Sequence, residues 1–433
     1  TIVGSGYVGL VTGVGLSEFG NRVTCVDIDN NKISELNLGK IPIYEPGLEE
    51  IISRNVNNGR LYFSSDISLS IKESEVIIIA VGTPQSENGD ADMQYVFSVI
   101  KSITENLNSY KIICTKSTVP IGTGNKIINI LKNKFQENSD FDYVSNPEFL
   151  REGSAVKDFL WPDRIIIGTS SQKAFHIMCD IYRPLYINKN PIKHTSVETS
   201  EMIKYASNSF LALKISYINE IANLCEIVGA DVHDVANAMG KDGRISEKFL
   251  HPGPGFGGSC FPKDLKALSS IANEYKLPME TLDAAIQANK NQKEKMGYKL
   301  EKLIAGGINN KNIAVLGLSF KANTDDVRES SSIDMINFIL SRGGYVKAYD
   351  PIANESMSKI FGNISYFDDI YEAIADADAI VLMTEWNEFR SLDLKRIKKI
   401  MKGNYILDTR NIINMKELSS LKFVYDNVGR IKI

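Results

Sequence analysis

The chain has 433 residues, of which 43% are hydrophobic and 24% are charged. This composition is that of a globular protein and excludes a disordered or fibrous chain. Its 49 basic and 53 acidic side chains nearly cancel, so we expect no nucleic-acid partner, although the balance still allows a local basic pocket for a small anion.

The five cysteines and four histidines are scattered, without the spacing of a metal site or a disulfide framework. We therefore expect no metal and a reducing, cytoplasmic location. No apolar run approaches the roughly 18 residues that cross a bilayer, and no signal-peptide pattern is found, so we expect no membrane partner. Because the chain begins inside a predicted strand, we expect a few leading residues to be missing from it.

The first part of the chain alternates short β-branched runs with helical stretches. A glycine turn leads from the first run into a helix predicted over 9–19. Such alternation is typical of a doubly wound parallel sheet. The predicted strands are 2–3, 23–27, 76–81, 112–116 and 164–168.

A long helix is predicted over 197–228, where the chain has neither proline nor glycine and keeps a helical apolar rhythm. Thr195 with Glu198 predicts a capping-box start, and Gly229 predicts the end. A helix of about 30 residues is too long for an ordinary crossover between strands. With a second helix over 282–303, it predicts a central helical domain that supplies a homodimer surface.

The last part of the chain repeats the strand plan of the first, at 313–317, 346–350, 379–384 and 405–408. It lacks the glycine fingerprint, and its strand ends carry Lys321, Asp350 and Arg410, a set that favours an anionic ligand. The predicted fold class is therefore α/β, with two Rossmann-like doubly wound parallel-sheet domains joined by a central helical domain with one long helix. The predicted boundaries are 1–195, 196–305 and 306–433.

A dinucleotide site is predicted at the first glycine turn. The fingerprint needs glycines for a tight turn and for close approach of the backbone to a pyrophosphate, and Asp27 ends the next strand, where an acid bonds the ribose hydroxyls. Asp27 favours NAD over NADP, whereas the alternative is a turn that serves packing alone, with Asp27 as a helix cap. The turn consists of Gly4, Ser5, Gly6, Tyr7, Val8 and Gly9.

Two threonines follow strands of the same sheet, Thr83 in Gly-Thr-Pro and Thr118 in Ser-Thr-Val-Pro. Each motif places a hydroxyl and a rigid turn where the cofactor should lie, and each is equally well explained as a proline turn alone.

Cys260 is the most specific candidate for a catalytic residue, because it lies where a glycine-rich loop leads into a predicted helix. A thiol at a helix N-terminus, beside Lys263, is suited to act as a nucleophile, and the glycine amides around it could stabilise an oxyanion. A small core cysteine is an equally good interpretation of Cys260 from sequence, and it is the one we adopt for the other four cysteines.

Three polar residues could assist that thiol. Lys204 and Asn208 are four apart on the long helix, so they share one face, and Asp264 is one helical turn beyond Cys260. A lysine, an amide and a carboxylate would supply a proton relay and oxyanion donors. Taken alone, Lys204 is better explained as a solvated helix residue.

With these motifs assembled, the chain resembles the UDP-glucose/GDP-mannose dehydrogenase family over essentially its whole length. The longest shared motif is Gly-Phe-Gly-Gly-Ser-Cys-Phe-Pro-Lys-Asp, and others include Tyr-Glu-Pro-Gly at 44–47 and Asn-Pro-Glu-Phe-Leu-Arg-Glu-Gly at 146–153. The resemblance implies oxidation of a sugar C6 alcohol to a carboxylate in two hydride transfers with two NAD, UDP-glucose being the expected substrate.

The same resemblance implies roles for individual residues. Cys260 is implied as the nucleophile that forms a thiohemiacetal and then a thioester, with Lys204 and Asp264 handling protons, Asn208 as oxyanion donor, Glu148 assisting thioester hydrolysis and Thr118 completing the polar site. Implied cofactor contacts add Lys32, Glu152, Lys263 and Arg328 to the fingerprint, Asp27, Thr83 and Thr118. Implied substrate contacts are Phe149, Leu150, Arg151, Glu152, Lys204, Asn208, Arg244 (from the neighbouring subunit of a dimer), Phe249, Leu250, Gly257, Lys321 and Arg410.

Alternative functions stay open at this point. GDP-mannose enzymes share the Gly-Gly-Ser-Cys motif, whereas relatives that act on UDP-N-acetylmannosamine typically carry histidine where this chain has Ser259. A one-step hydroxyacid dehydrogenase would not explain the third domain or Cys260, and a non-catalytic dinucleotide sensor would not use a thiol, lysine and carboxylate together.

Overall fold

The structure is a computed structural model and describes residues 1–86, 91–188 and 192–431. The chain divides into two compact units. Unit 1 comprises Thr1–Ser207 and Lys266–Lys276, and unit 2 comprises Asn208–Leu265 and Leu277–Ile433.

Unit 1 is built on an eight-stranded sheet with strand order β3-β2-β1-β4-β5-β6-β7-β8. The strands are parallel except that β7 runs antiparallel to β6. The register centres on β1, where Ile2 pairs with Cys25 on one side and with Ile78 on the other. The strands are β1 (Ile2–Val3), β2 (Val23–Val26), β3 (Leu61–Ser64), β4 (Val76–Ile79), β5 (Lys111–Thr115), β6 (Phe141–Ser145), β7 (Ile165–Gly168) and β8 (Ile192–Thr195).

Helices connect these strands, as parallel pairing requires. They are α1 (Tyr7–Glu18), α2 (Asn30–Asn37), α3 (Leu48–Asn57), α4 (Ile67–Glu73), α5 (Gln94–Asn106), α6 (Thr123–Lys132), α7 (Ala155–Leu160) and α8 (Gln172–Ile181), followed by a 3₁₀ helix at Arg183–Asn188. Side chains of β5 are buried throughout, so the sheet is covered on both faces and carries the core of the unit.

The long helix α9 (Val197–Val228) passes from unit 1 into unit 2, and α10 (Val232–Gly240), α11 (Phe261–Glu274) and α12 (Glu280–Leu303) follow it. Gly229 ends α9 in the left-handed conformation, with φ 76°, as predicted.

Unit 2 contains an all-parallel six-stranded sheet of order β11-β10-β9-β12-β13-β14. Its strands are β9 (Asn312–Leu316), β10 (Tyr345–Tyr349), β11 (Ser365–Tyr366), β12 (Ala379–Leu382), β13 (Tyr405–Asp408) and β14 (Val424–Asp426). Its remaining helices are α13 (Ser331–Ser341), α14 (Asn354–Ser358), α15 (Ile370–Ile374), α16 (Asn387–Arg390), α17 (Leu394–Ile400) and α18 (Met415–Ser420).

The predicted fold class is confirmed: two parallel-sheet α/β domains occur with a central helical region that contains one long helix. The three domain boundaries stay a prediction. Among the described residues, no helix is long and apolar enough to cross a membrane.

Two local predictions were wrong. The start of α9 is capped by Ser196, whose Oγ accepts from the Thr199 amide at 3.2 Å, because Thr195 is committed to the sheet, where it pairs with Gly168. Helix α1 begins at Tyr7 rather than at Gly9. Gly9 therefore lies inside the helix. Glycine is needed there for close packing and not for a turn, because a Cβ would lie 1.7 Å from the Gly4 carbonyl oxygen.

Candidate functional site

The glycine turn of unit 1 forms an open cradle at the start of α1. Gly4 has φ 100°, and a Cβ on it would lie 2.7 Å from the Ala80 carbonyl oxygen, so only glycine fits. Gly6 is the N-cap residue of α1 and, having no side chain, makes no side-chain cap hydrogen bond; a Cβ on it would meet nothing within 4 Å. Free amides at a helix N-terminus facing open space suit a pyrophosphate. Ser5 Oγ adds a fully buried hydroxyl with no partner among the described residues.

Asp27 lies beside this turn. Its Oδ2 accepts from the Ser5 amide at 2.8 Å and from Lys32 Nζ at 3.1 Å, while its Oδ1 accepts from the Asp29 amide. Burial acts in the opposite direction, but these hydrogen bonds hold the pKa of Asp27 below its ordinary value. An ionised acid at this place can accept from ribose hydroxyls and repels a 2′-phosphate, so the residues present fit NAD.

The two proline turns are tied together by hydrogen bonds. The hydroxyl of Thr83 donates to the Thr118 carbonyl oxygen at 2.9 Å, and Ser117 Oγ donates to the Val81 carbonyl oxygen at 2.6 Å. At least the Thr83 hydroxyl therefore serves to fix the loop after β5, which carries Thr118.

Glu148 and Lys204 form a buried ion pair in unit 1, with Nζ and Oε1 2.8 Å apart and only 5% and 4% of the side chains exposed. The other carboxylate oxygen of Glu148 accepts from the Leu150 amide. The centre of the Phe149 ring lies near two cations, 3.9 Å from the Arg164 guanidinium and 5.4 Å from Lys204 Nζ. We call Glu148 and Lys204 the ion-pair cluster. Its desolvated charges can hold or move a proton.

The rest of the 146–153 segment is also fixed from both sides. Arg151 is exposed and held to α7, where its guanidinium and its backbone amide donate to the Asp158 carboxylate. Upstream, the side-chain amide of Asn146 donates to the Ile166 carbonyl oxygen at 2.7 Å and its oxygen accepts from Tyr182.

In unit 2, Cys260 directly precedes α11, as predicted, and its Sγ lies 3.6 Å from Ser259 Oγ. One turn into the helix, Asp264 is 1% exposed. Its Oδ2 accepts from the side-chain Nδ2 of Asn208 at 2.7 Å, and its Oδ1 accepts from Lys263 Nζ at 2.7 Å. We call Cys260, Asp264, Asn208 and Lys263 the thiol cluster. It brings Asn208 of α9 together with three neighbouring residues that follow it by more than 50 positions in the sequence.

Glycine is required in the loop that leads to Cys260. A Cβ on Gly257 would lie 2.2 Å from the Glu329 carbonyl oxygen. Gly258 has φ 83° and donates its amide to the Arg328 carbonyl oxygen at 2.8 Å. These glycines allow the loop to pack closely against residues 328–329. The packed loop ends at Cys260, at the start of α11.

Three buried amide side chains that hold this loop were missed from the sequence. Asn289 accepts from the Phe256 amide at 2.7 Å and donates to the carbonyl of the same residue at 3.0 Å. Gln292 donates to the Gly253 carbonyl and Asn219 accepts from the Gly253 amide. Asn289 and Gln292 are polar residues on the apolar side of α12, and that misfit is the signal that could have identified them.

Glu201 was also missed as an anchor. Its two carboxylate oxygens accept from the amides of Gly122 and Gly124 at 2.6 and 2.8 Å, at the start of α6. Burial outweighs those two hydrogen bonds and raises the pKa of Glu201 to about 7. It fixes the loop after Thr118 to the helix that carries Lys204.

Asp350, at a strand end of the second sheet, is held by the chain itself. Asp350 is 2% exposed, and its Oδ2 accepts from the amides of Leu318 and Ser319 and from Trp386 Nε1. Donors of the chain itself thus occupy the carboxylate of Asp350 more fully than that of Asp27. Asp350 is therefore part of the scaffold.

The predicted cationic residues of unit 2 lie in different settings. Arg410 is bound by Glu385 at 3.1 Å and by the carbonyls of Met383 and Phe320. Arg244 and Arg328 are exposed, and each forms a bidentate pair with an aspartate two residues before it in the chain. Of the remaining predicted contacts, Leu250 is buried, Phe249 has φ 65° and its ring is tilted by 52° against that of Phe261, and Lys321 lies near the Phe320 ring.

The other four cysteines behave as packing residues. Burial raises the pKa of Cys25 and of Cys114 to about 12, and it raises the pKa of Cys179 and Cys225 as well. A raised pKa disfavours the reactive thiolate, so Cys260 stays the candidate nucleophile. In the described part of the chain, no group of three or more His, Cys, Asp or Glu side chains could hold a metal ion.

Two doubly wound sheets, one of which carries an open NAD cradle, define an NAD-dependent dehydrogenase. The chain belongs to the UDP-glucose/GDP-mannose dehydrogenase family. It matches the NAD-binding domain of that family over 1–186, the central domain over 198–291 and the UDP-binding domain over 314–415.

Known proteins resemble the chain over its whole length. A UDP-glucose 6-dehydrogenase of Rhizobium meliloti (strain 1021) is 48% identical over 433 residues, covering 99% of both chains. UDP-glucose 6-dehydrogenase TuaD of Bacillus subtilis (strain 168) is 46% identical, covering 99% of this chain and 92% of its own. The structure of a UDP-glucose dehydrogenase from Pyrobaculum islandicum has a TM-score of 0.91 at 34% identity, covering 99% of this chain and 97% of its own.

Proposed function

We propose that this protein oxidises UDP-glucose at C6 to UDP-glucuronate, in a four-electron reaction through covalent intermediates on Cys260. The observation that carries the proposal is the thiol cluster: a cysteine at a helix start with a buried carboxylate one turn along, which an amide and an ammonium hold in place. The relatives named UDP-glucose 6-dehydrogenase support this choice of substrate. The alternative, another nucleotide sugar such as GDP-mannose or a UDP-N-acetylhexosamine, would use the same chemistry.

A thiol is needed because the reaction passes through an aldehyde. When bound, each NAD in turn accepts one of the two hydrides that leave C6. Loss of the first hydride and of the hydroxyl proton leaves an aldehyde, which would escape or react with water. Attack of the Cys260 sulfur on that carbon forms a C–S bond, and the product is a thiohemiacetal whose loss of a second hydride and proton gives a thioester.

The polar groups of both clusters have roles in this sequence. The Asp264 carboxylate takes up the protons that leave oxygen, while the Lys204 ammonium donates hydrogen bonds to that oxygen and the Asn208 side-chain amide stabilises the oxyanion. Glu148 accepts a proton from the water that attacks the thioester. The C–S bond then breaks, the sulfur regains a proton, and the carboxylate is released.

The remaining residues of the proposal bind the two ligands. The cofactor is held by Gly4, Gly6, Tyr7, Val8, Gly9, Asp27, Lys32, Thr83, Thr118, Glu152, Lys263 and Arg328. The nucleotide sugar is held by Phe149, Leu150, Arg151, Glu152, Lys204, Asn208, Arg244, Phe249, Leu250, Gly257, Lys321 and Arg410. Cationic and aromatic side chains in the second set suit a diphosphate and a base.

The first prediction concerns stoichiometry. With limiting UDP-glucose and excess NAD, we expect two NADH for each UDP-glucose consumed, because the thiohemiacetal presents the same carbon for a second oxidation. The measurement combines absorbance at 340 nm with chromatography of the nucleotide sugars, and GDP-mannose and UDP-N-acetylglucosamine are run beside UDP-glucose. A ratio of one with accumulating aldehyde contradicts the covalent mechanism, and faster turnover of another sugar contradicts the substrate.

A homodimer is part of the same proposal. In unit 2, helix α9 exposes large apolar side chains at near-heptad intervals: Phe210 is 61% exposed, Tyr217 48%, Leu224 54% and Val228 65%. A row of this kind along one helix marks a protein interface, and the same helix of a second copy presents the complementary apolar row.

For the second prediction, Phe210→Glu combined with Leu224→Glu should turn a dimer into a monomer, because two charges would enter the apolar contact. Sedimentation velocity at micromolar concentration measures the change, and Ile130→Glu, at an exposed position of α6, is the matched control. We expect lost activity in the monomer as well, because Arg244 is proposed to reach the neighbouring site. A monomeric wild-type protein with full activity contradicts both statements.

A further inference from the structure

Glu45 is the centre of a hydrogen-bond cluster that the proposed mechanism does not use. It lies between α2 and α3, and it is only 6% exposed. One carboxylate oxygen accepts from the Gly153 amide at 2.7 Å and from the hydroxyl of Tyr7. The other accepts from the Ala155 amide at 2.7 Å. Both oxygens of a buried charge are thus committed to backbone and a tyrosine.

The Tyr7 side of this cluster belongs to the cofactor cradle. Tyr7 is the first residue of α1, directly after Gly6, and its backbone is part of the helix start that suits the pyrophosphate. Its hydroxyl also accepts from the Gly153 amide at 2.9 Å. A shift of this helix start would therefore change the hydrogen bonds of the Gly153 amide.

The Gly153 side belongs to the segment proposed to hold the nucleotide sugar. Gly153 ends the 146–153 segment with φ 75°, and Ala155 begins α7, for which Ser154 supplies no side-chain cap. Glu45 takes the place of that cap. Because Arg151 is bound to Asp158 of α7, the carboxylate of Glu45 fixes the position of Arg151 as well.

We propose that Glu45 is a positioning residue which couples the NAD site to the nucleotide-sugar site. It joins the start of α1 to the end of the 146–153 segment, so that order imposed at one site lowers the cost of ordering the other. The inference rests on the proposed function for the identity of the sugar ligand, but the link from cofactor to segment does not.

The substitution Glu45→Gln tests the link with little change in shape. The new amide nitrogen cannot accept from Gly153 or from Ala155, so at least one of the backbone contacts is lost. Tyr7→Phe is the second variant and removes only the hydroxyl. Tyr110→Phe is the matched control, because it also removes a tyrosine hydroxyl that donates to a buried carboxylate, that of Asp142 at 2.5 Å. Tyr110 precedes β5, at the end of that strand opposite to Thr118.

Two measurements are compared. Calorimetric titration gives the dissociation constant of UDP-glucose with and without saturating NADH, and we expect NADH to tighten wild-type binding about tenfold. This factor should fall to near one in Glu45→Gln, fall partly in Tyr7→Phe and persist in Tyr110→Phe. In steady state, the KM for UDP-glucose should rise more than kcat falls. Equal factors in wild type and Glu45→Gln overturn the proposal.

Amide hydrogen exchange separates this proposal from the substrate assignment. NADH alone should slow exchange in 146–156 of the wild type and of Tyr110→Phe but not of Glu45→Gln. If UDP-glucose fails to bind while this protection pattern holds, the proposed substrate is wrong and the link is right. If NADH protects the segment equally in Glu45→Gln, or not at all in the wild type, the link is wrong. If the Glu45→Gln protein is unfolded at the temperature of the measurement, Tyr7→Phe is the deciding variant. Protection of 146–156 by NADH that is undiminished in Tyr7→Phe then overturns the proposal.

Discussion

Cys260→Ser should lower the turnover of UDP-glucose to the acid by at least about a thousandfold, because a hydroxyl is a far weaker nucleophile than a thiolate at neutral pH. Binding of NAD and UDP-glucose should persist, since serine nearly keeps the volume. The first oxidation does not require the thiol, so at most about one NADH for each site should form before the reaction stops. Rapid-mixing absorbance and steady-state assays measure both quantities.

Cys225→Ser is the matched control. Cys225 is 4% exposed on α9, and burial raises the pKa of its thiol. A hydroxyl buried there should cost roughly 1–3 kcal/mol of unfolding free energy while turnover stays near that of the wild type. If instead Cys260→Ser melts lower and keeps its turnover, Cys260 is a packing residue and the covalent mechanism is wrong.

The strand alternation and the long helix could be predicted because they depend on local periodicity. Helix α9 was predicted with its observed bounds, since neither proline nor glycine interrupts it and Gly229 ends it. The cap was misplaced because Thr195 and Ser196 are both good capping residues, and only the pairing of Thr195 in the sheet decides between them.

Parts of the site that depend on distant contacts could not be predicted. Nothing near Glu45 in sequence indicates that its carboxylate closes the start of α7, more than 100 residues away. Asp27 and Asp350 occupy equivalent strand ends, and the indole of Trp386, together with two amides, decides that Asp350 belongs to the scaffold. The sequence could predict which residue types carry chemistry, but not which of them the chain uses for itself.

The ion-pair cluster allows stability and catalysis to be measured separately. Lys204→Met alone leaves the 5% exposed Glu148 carboxylate without its ammonium partner, so we expect a loss of about 3–5 kcal/mol in unfolding free energy and at least about a hundredfold loss of turnover. Glu148→Gln alone leaves the lysine in the same position and should also destabilise the protein.

The double variant Lys204→Met/Glu148→Gln distinguishes the two roles, because it removes both charges at once. A buried pair replaced by neutral side chains costs little, so the double variant should regain most of the unfolding free energy that either single variant loses. Its turnover should stay as low as that of Lys204→Met, because neither the ammonium that bonds the reacting oxygen nor the carboxylate that assists thioester hydrolysis is present. Urea denaturation and steady-state kinetics on the four proteins complete the cycle. Recovery of turnover together with stability would show that the pair serves the fold alone and would remove Lys204 and Glu148 from the chemistry.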